Sequence, residues 1–225
     1  MGKKTSVSDL AAPARRWLVS GKIVRRTHLV LAHGAGAGME SAFLEHLSGL
    51  LDERDITVHR FEFPYMAARS TGGSRRPAPR AETLVDDYRT ALSEVRSEIG
   101  RTAQLFAGGK SMGGRIACLA ADRDPAVAGI VVLGFPLVPP RKPGSSRADV
   151  IEGLLRPALI VQGTRDAFGG REAFGRLHLP PQVEMLWIED GDHDLKPRKA
   201  SGLTHDAALA IAADGIARFC SRGIS

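Results

Sequence analysis

The chain has 225 residues, a length that fits one compact domain better than two. Apolar residues make up 43% of it and charged residues 25%, as in ordinary soluble proteins, and no stretch approaches the roughly 20 apolar residues of a membrane span. The formal net charge of +6 indicates a basic, solvated surface rather than a nucleic-acid site, because no stacking aromatic residues accompany the densest run of arginines.

Short apolar runs alternate along the chain with longer segments of helical periodicity, as is typical of a mostly parallel sheet. The predicted strands are His28–His33, Ile56–Phe63, Gln104–Gly108, Val127–Leu133, Ala158–Gln162 and Val183–Ile188. The predicted helices are Ser41–Asp52, Ala81–Ile99, Gly113–Ala121 and Thr204–Cys220, the last with Thr204 as its N-cap. The sequence therefore predicts an α/β fold, a three-layer α/β/α sandwich around a mainly parallel sheet.

Two connecting segments stand out by composition. Residues 67–79 are rich in Gly, Ser, Arg and Pro and are predicted to form a loop. The arginines in and beside it are Arg69, Arg75, Arg76 and Arg80. Residues 135–147 contain four prolines and are predicted as a connector. The residues from 138 to 155 leave room for a small flap at most, so we expect a minimal cap or none, with Lys142 and Arg147 at the rim of the cleft.

The segment Gly109-Lys110-Ser111-Met112-Gly113 matches the G-x-S-x-G nucleophile elbow. In such an elbow the chain turns sharply from strand to helix, and side chains at the two flanking positions would clash, so both are glycine. The alternative is a purely structural glycine turn. The predicted strand before Ser111 and the predicted helix after it favour the nucleophile.

A serine nucleophile needs a base, and the base needs an acid that orients it. Asp166 follows the strand Ala158–Gln162, and His193 follows the strand Val183–Ile188, so both lie where parallel strands place their ligands. The order Ser, acid, His is the one this kind of elbow requires. The rival acids close to His193 are Asp190, Asp192 and Asp194, and Asp166 itself could be a turn residue.

Acyl transfer also needs two N–H donors for the developing oxyanion. The first candidate is the backbone N–H of Met112, and the second is that of Ala35 in the glycine-rich loop after the first predicted strand, where Gly34 and Gly36 allow close approach. A nucleotide-binding loop is the alternative. It is disfavoured because Met39 and Gln104 stand where the dinucleotide and P-loop patterns require glycine.

Cys118 and Cys220 lie far apart and form neither a disulfide framework nor a zinc pattern, so they are predicted to be buried or incidental thiols, compatible with a reducing cytoplasm. Residues 1–22 carry basic residues without a continuous apolar stretch, unlike a secretory signal. We predict that they form an N-terminal extension, which could be flexible, and that residues 23–225 form a single domain.

Several of these segments together resemble a known superfamily. They are His33-Gly34-Ala35-Gly36, Phe61-Glu62-Phe63-Pro64-Tyr65-Met66, Gly108-Gly109-Lys110-Ser111-Met112-Gly113-Gly114-Arg115, Gly134-Phe135-Pro136-Leu137, Gln162-Gly163-Thr164-Arg165-Asp166 and Gly191-Asp192-His193. The chain resembles the α/β-hydrolase superfamily from about residue 27 onward, and is most similar to its small dienelactone-hydrolase-like group. The resemblance implies a Ser-Asp-His triad and hydrolysis without a cofactor or metal. True dienelactone hydrolases typically carry Cys as nucleophile, and Ser111 departs from that pattern.

These expectations combine into a cytoplasmic serine hydrolase for a carboxylic ester or thioester of a small molecule. Lys110 and Arg115 could tune the elbow or contact an acidic substrate, although surface charge explains either. One alternative is a non-catalytic protein of the same fold that binds an acidic partner through the loop Arg69–Arg80. Another is an acyltransferase or perhydrolase variant. The sequence contains no indication of oligomeric state.

Overall fold

A computed structural model describes residues 15–70, 72, 77–138 and 146–222. The strands in these residues are β1 Trp17–Ser20, β2 Thr27–Ala32, β3 Ile56–Phe61, β4 Gln104–Lys110, β5 Gly129–Leu133, β6 Ala158–Gly163 and β7 Val183–Ile188. They form one sheet in the order β1-β3-β2-β4-β5-β6-β7. Only β1 is antiparallel to its neighbour, and the six other strands pair in parallel. The predicted mainly parallel sheet is confirmed.

The helices are α1 Ala42–Asp52, α2 Pro64–Ser70, α3 Val85–Ile99, α4 Met112–Ala121, α5 Ala148–Glu152, α6 Arg171–Phe174 and α7 His205–Ser221, with 3-10 turns at Ala81–Leu84 and Lys199–Ser201. Successive side chains of a strand point to opposite faces of the sheet. Val30 in β2 therefore packs in the cluster that contains α3 and α4, whereas Leu31 packs in the cluster that contains α1 and α7. Helices on both faces make the predicted three layers.

The strand order reverses between β2 and β4. From β2 the chain moves outward to β3 and then returns to place β4 on the other side of β2, with Ala32 opposite Gly109. Loops that leave the carboxyl ends of two such strands diverge and leave a crevice where α/β proteins bind ligands. The predicted elbow and the predicted glycine-rich loop both begin at this edge.

The N-terminal side of the fold differs from the prediction in two places. Residues 1–14 lie outside the described residues, but β1 belongs to the sheet through its pairing with β3, so part of the predicted extension is in the domain. In addition, Pro64 begins helix α2, whereas residues from 67 onward were predicted as loop. Proline suits a first helical position because it has no backbone N–H, and an N–H at that position would have no partner within the helix.

Other boundaries shift by only a few residues. The predicted N-cap of α7 is confirmed, because the Thr204 hydroxyl accepts a hydrogen bond from the N–H of Ala207 at 3.1 Å. Between β5 and β6 the described residues contain only the short helix α5. Residues 71, 73–76 and 139–145, which include Arg75, Arg76 and Lys142, are outside the described part of the chain. No helix in that part combines the length and the apolarity needed to cross a membrane.

Candidate active site

Ser111 occupies the sharp turn between β4 and α4. Its φ of 54° is positive, a conformation that costs a non-glycine residue about 1–3 kcal/mol and persists only where its surroundings enforce it. The Ser111 N–H donates to the carbonyl of Leu133 at the end of β5, at 2.8 Å, and the Ser111 carbonyl accepts from the N–H of Arg115 at 3.1 Å. The turn is thus tied to the neighbouring strand and to the helix that follows.

Steric limits explain the two glycines of the elbow. A Cβ on Gly109 would lie 2.4 Å from the carbonyl carbon of Gly113, and a Cβ on Gly113 would lie 2.5 Å from the carbonyl oxygen of His33. Both contacts are with backbone, which cannot move aside easily. The loop glycines differ, because a Cβ on Gly34 would make ordinary contact with Ser111 at 3.8 Å and one on Gly36 would meet nothing within 4 Å. Gly34 is therefore beside the elbow, and Gly36 faces open space.

Three predicted side chains form one hydrogen-bonded series. The Nε2 atom of His193 lies 2.9 Å from Ser111 Oγ, and its Nδ1 atom lies 2.8 Å from Asp166 Oδ2. Since an ionised carboxylate can only accept, Nδ1 carries the proton and Nε2 presents its lone pair to the serine hydroxyl. The Asp166 side chain has no solvent exposure, whereas that of His193 is 22% exposed. A base that reaches both its acid and its nucleophile can move a proton away from Ser111.

Gln162 holds Asp166 in place, a role that was not predicted from the sequence. Its Nε2 donates to Asp166 Oδ2 at 2.8 Å, while its Oε1 accepts from the N–H of Phe135 at 2.7 Å. The N–H of Phe168 donates to the other carboxylate oxygen at 2.8 Å. The sequence signal for this role was a polar residue at the end of the otherwise apolar run of β6. In the structure Gln162 is fully buried.

The loop that carries His193 is fitted closely against the sheet. A Cβ on Gly134, at the end of β5, would lie 2.8 Å from the His193 carbonyl oxygen, so that position admits no side chain. The ring of Phe168 contacts the imidazole with 4.4 Å between centroids, in an edge-on arrangement. The imidazole is thus confined by backbone on one side and an aromatic ring on another.

The three rival acids bind other groups. Asp190 forms an ion pair with Arg165, and its hydrogen bonds to Arg198 lower its pKa to about 2. Asp192 accepts hydrogen bonds from two N–H groups of its own loop. Asp194 pairs with Lys110 at 3.1 Å. These carboxylates shape the loop, and Asp166 is the one that contacts the imidazole of His193.

The loop after β2 is held by His33 and Tyr65. Since the N–H of Phe63 donates to Nε2 of His33 at 3.1 Å, the ring proton is on Nδ1, which donates to the Gly34 carbonyl at 2.6 Å. Burial lowers the pKa of His33 to about 4 and keeps this tautomer neutral. The Tyr65 hydroxyl donates to the same carbonyl at 3.2 Å. The Ala35 N–H lies on the opposite side of that trans peptide and points away from both donors.

Met112 is the first residue of α4, so its N–H belongs to the group that has no intrahelical acceptor, at the positive end of the helix dipole. The two predicted donors, Met112 and Ala35, follow β4 and β2, the two strands whose loops border the crevice. The N–H of Met112, at the positive end of the α4 dipole, suits a developing negative charge.

The two basic residues of the elbow have different surroundings. Lys110 is buried, with 7% of its surface exposed, and its ammonium donates to the His193 carbonyl at 2.7 Å. The interpretation of Lys110 as a surface charge is therefore wrong. Arg115 forms an ion pair with Glu82, outside the series of Ser111, His193 and Asp166.

Comparisons with known proteins agree with this architecture. A family model described as an alpha/beta hydrolase domain matches residues 25–221. A dienelactone hydrolase from Anabaena variabilis superposes with a TM-score of 0.70 at 14% identity, covering 96% of this chain and 94% of that chain.

Two further solved structures are similar over nearly their whole length. An alpha-beta serine hydrolase homologue from Coxiella burnetii has a TM-score of 0.64 and 18% identity, covering 99% of this chain and 100% of that chain. A serine hydrolase without lid from Xanthomonas campestris has a TM-score of 0.62 and 20% identity, covering 95% and 98%. At these identities the structures show a shared fold, and the family match spans most of the sequence. The chain therefore belongs to the alpha/beta hydrolase family.

Proposed function

We propose that the protein is a serine hydrolase that cleaves a carboxylic ester or thioester of a small molecule through an acyl-enzyme on Ser111. The observation that carries the proposal is the series of hydrogen bonds from Asp166 through His193 to Ser111 Oγ, at 2.8 and 2.9 Å. The same order of groups activates serine on unrelated folds, so the geometry supports the chemistry more directly than the fold does.

In the acylation step, Ser111 Oγ attacks the substrate carbonyl carbon while His193 Nε2 takes the hydroxyl proton. Asp166 keeps the imidazole oriented and stabilises the imidazolium that forms. The N–H groups of Met112 and Ala35 receive the oxyanion of the tetrahedral intermediate. When the intermediate collapses, the bond to the alkoxide or thiolate breaks, and His193 returns its proton to that leaving group.

Deacylation repeats the sequence with water as the nucleophile. His193 takes a proton from water, the resulting hydroxide attacks the acyl carbon, and the proton passes to Ser111 Oγ as the carboxylic acid leaves. The side chain of His193 is 22% exposed, so water can reach the imidazole. Added alcohols in place of water would reveal acyl transfer, since partition toward a new ester marks an acyltransferase.

Turnover of p-nitrophenyl esters by Ser111→Ala tests the proposal. We expect kcat/KM to fall by on the order of 10³ or more, because no other hydroxyl lies against His193 Nε2 in the described residues. The matched control is Ser97→Ala, whose exposed hydroxyl bonds within α3 and whose loss should leave turnover unchanged. Equal turnover by wild type and Ser111→Ala would place the nucleophile elsewhere.

The proposed location is the cytoplasm. Cys118 and Cys220 are both free and buried, as in a protein made in a reducing compartment, and burial raises the pKa of Cys118 to about 12. At such a pKa the thiol of Cys118 remains protonated and unreactive. It therefore does not compete with Ser111 as nucleophile.

A further inference from the structure

Lys110 lies in the elbow itself, yet its side chain is turned inward. Its side chain is 9% exposed, and its ammonium contacts three groups: the carbonyl of His193 at 2.7 Å, Asp194 Oδ1 at 3.1 Å, and the ring of Phe43 with 5.5 Å to the centroid. These groups belong to the loop after β7 and to helix α1. One residue of the nucleophile turn thus ties two distant parts of the chain together.

The burial of this ammonium needs an explanation. Removing a cation from water is costly unless partners replace its hydration, and at an ordinary surface position a lysine remains in solvent. Burial lowers the pKa of Lys110, and the carboxylates of Asp194, Asp166 and Asp192 oppose that shift. The cost is thus offset mainly by the loop that carries His193, through Asp194 and the His193 carbonyl, which indicates that the contact with that loop keeps Lys110 inward.

The contact also has a geometrical consequence. Lys110 directly precedes Ser111 in the chain. Its ammonium binds the backbone carbonyl of His193, and the ring of His193 must reach Ser111 Oγ. The loop of His193 turns through two residues with positive φ, Asp190 at 56° and Leu195 at 59°, so its path depends on the contacts that hold it. We therefore expect the hydrogen bond from Lys110 to the His193 carbonyl to set the distance between Ser111 Oγ and His193 Nε2.

We propose that Lys110 is a positioning residue, whose ammonium holds the backbone of His193 so that the imidazole remains within hydrogen-bond reach of Ser111. The proposal rests on the proposed function. It assigns no contact between Lys110 and the substrate. Removal of the Lys110 ammonium should therefore lower kcat and leave KM nearly unaffected.

Lys110→Met tests the proposal, because methionine fills similar space without a donor or a charge. We expect kcat to fall roughly 10- to 100-fold, as displacements of about 1 Å in a reacting group do, with KM within about twofold of wild type. The matched control is Lys199→Met, the same change at an exposed residue of the turn Lys199–Ser201, which should leave both constants unchanged. A kcat of Lys110→Met equal to wild type overturns the proposal.

A spectroscopic readout separates this inference from the proposed function. The proton on His193 Nδ1, bonded to Asp166, should produce a downfield proton NMR signal that broadens in Lys110→Met as the ring becomes mobile and the proton exchanges with water. Wild type that shows this signal but hydrolyses no ester would contradict the proposed function, and loss of the signal in Lys110→Met would still support the positioning role. An unchanged signal in Lys110→Met would overturn it.

Should Lys110→Met fail to fold, two polar variants carry the test. Lys110→Arg keeps a cation and N–H donors for His193 and Asp194, so we expect kcat within about tenfold of wild type. Lys110→Gln has no charge and is one atom shorter, and we expect a kcat at least about tenfold below that of Lys110→Arg. Equal kcat values in the two variants would contradict the proposal.

Discussion

At the scale of single residues, buried polar side chains hold the reactive ones in place. Gln162 and Lys110 each bind a member of the series formed by Ser111, His193 and Asp166, and neither contact could be read from spacing along the chain. Asp166 and His193 were predictable because each follows a strand in the required order. The partners that hold them lie at the ends of two strands, Gln162 in β6 and Lys110 in β4, so only the packing of the sheet brings them to Asp166 and His193.

Gln162→Leu should weaken both stability and turnover. The change leaves the N–H of Phe135, a fully buried residue, and one lone pair of Asp166 without their partner. Each unsatisfied buried group costs about 1–3 kcal/mol, so we expect a loss of about 2–6 kcal/mol in the free energy of unfolding, together with lower kcat. Urea unfolding and ester turnover measure the two effects.

Gln182→Leu is the matched control for that experiment. Gln182 donates one hydrogen bond, to the carbonyl of Leu154, far along the chain from the candidate site. A single partly buried hydrogen bond contributes about 1 kcal/mol. If both variants lost the same stability and neither lost turnover, Gln162 would have no special role in holding Asp166.

At the scale of secondary structure, the strands were easier to predict than the edges of the fold. Buried parallel strands such as β5 and β6 are continuous apolar runs in the sequence, and the glycines of the elbow indicate a strand-to-helix turn. Helix α2 was missed because it is short, buries only Met66 and runs into the segment 67–79 that is rich in Gly, Ser, Arg and Pro. Strand β1 is four residues long and only partly buried, so its pattern is weak.

The elbow predicts a contrast between two glycine substitutions. Gly113→Ala would place a methyl group 2.5 Å from the carbonyl oxygen of His33, so we expect a loss of about 1–3 kcal/mol in stability. Gly36→Ala would place it in open space, and we expect a change within about 0.5 kcal/mol. Thermal and urea unfolding compare the variants. Equal stability of both would show that β2 and α4 do not pack as described.

At the scale of the whole molecule, three buried histidines couple the fold to pH. The His28 Nε2–H donates to the carbonyl of Arg25, so its Nδ1 accepts from His59 Nε2 at 3.0 Å, and both rings are neutral. Burial lowers the pKa of His28, and it lowers the pKa of His33 and of His59 to about 4. A second proton on His28 or His33 would set two donors against each other.

Stability should therefore decrease on acidification. Below the ordinary histidine pKa of 6.5 the unfolded chain takes up protons that the folded chain excludes, so the free energy of unfolding falls from about pH 6.5 toward about pH 4. Urea unfolding at pH 7.5, 6 and 5 measures the slope. His59→Gln keeps a donor toward His28 but cannot titrate, and should reduce the slope.

His46→Gln provides the control for the pH experiment, since it makes the same substitution at a histidine whose side chain is 41% exposed. Unchanged stability of the wild type between pH 7.5 and 5 would contradict the neutral, buried pairing of His28 with His59. It would not affect the proposed reaction at Ser111, which depends on a different histidine.

The most direct test of the central claim is covalent capture of the nucleophile. Wild type is treated with a fluorophosphonate probe beside Ser111→Ala, and the modified residue is located by mass spectrometry of peptides. The proposal predicts one adduct, on Ser111, in the wild type and none in the variant. Wild type that remains unlabelled where a known serine hydrolase is labelled, or an adduct on any other residue, would contradict it.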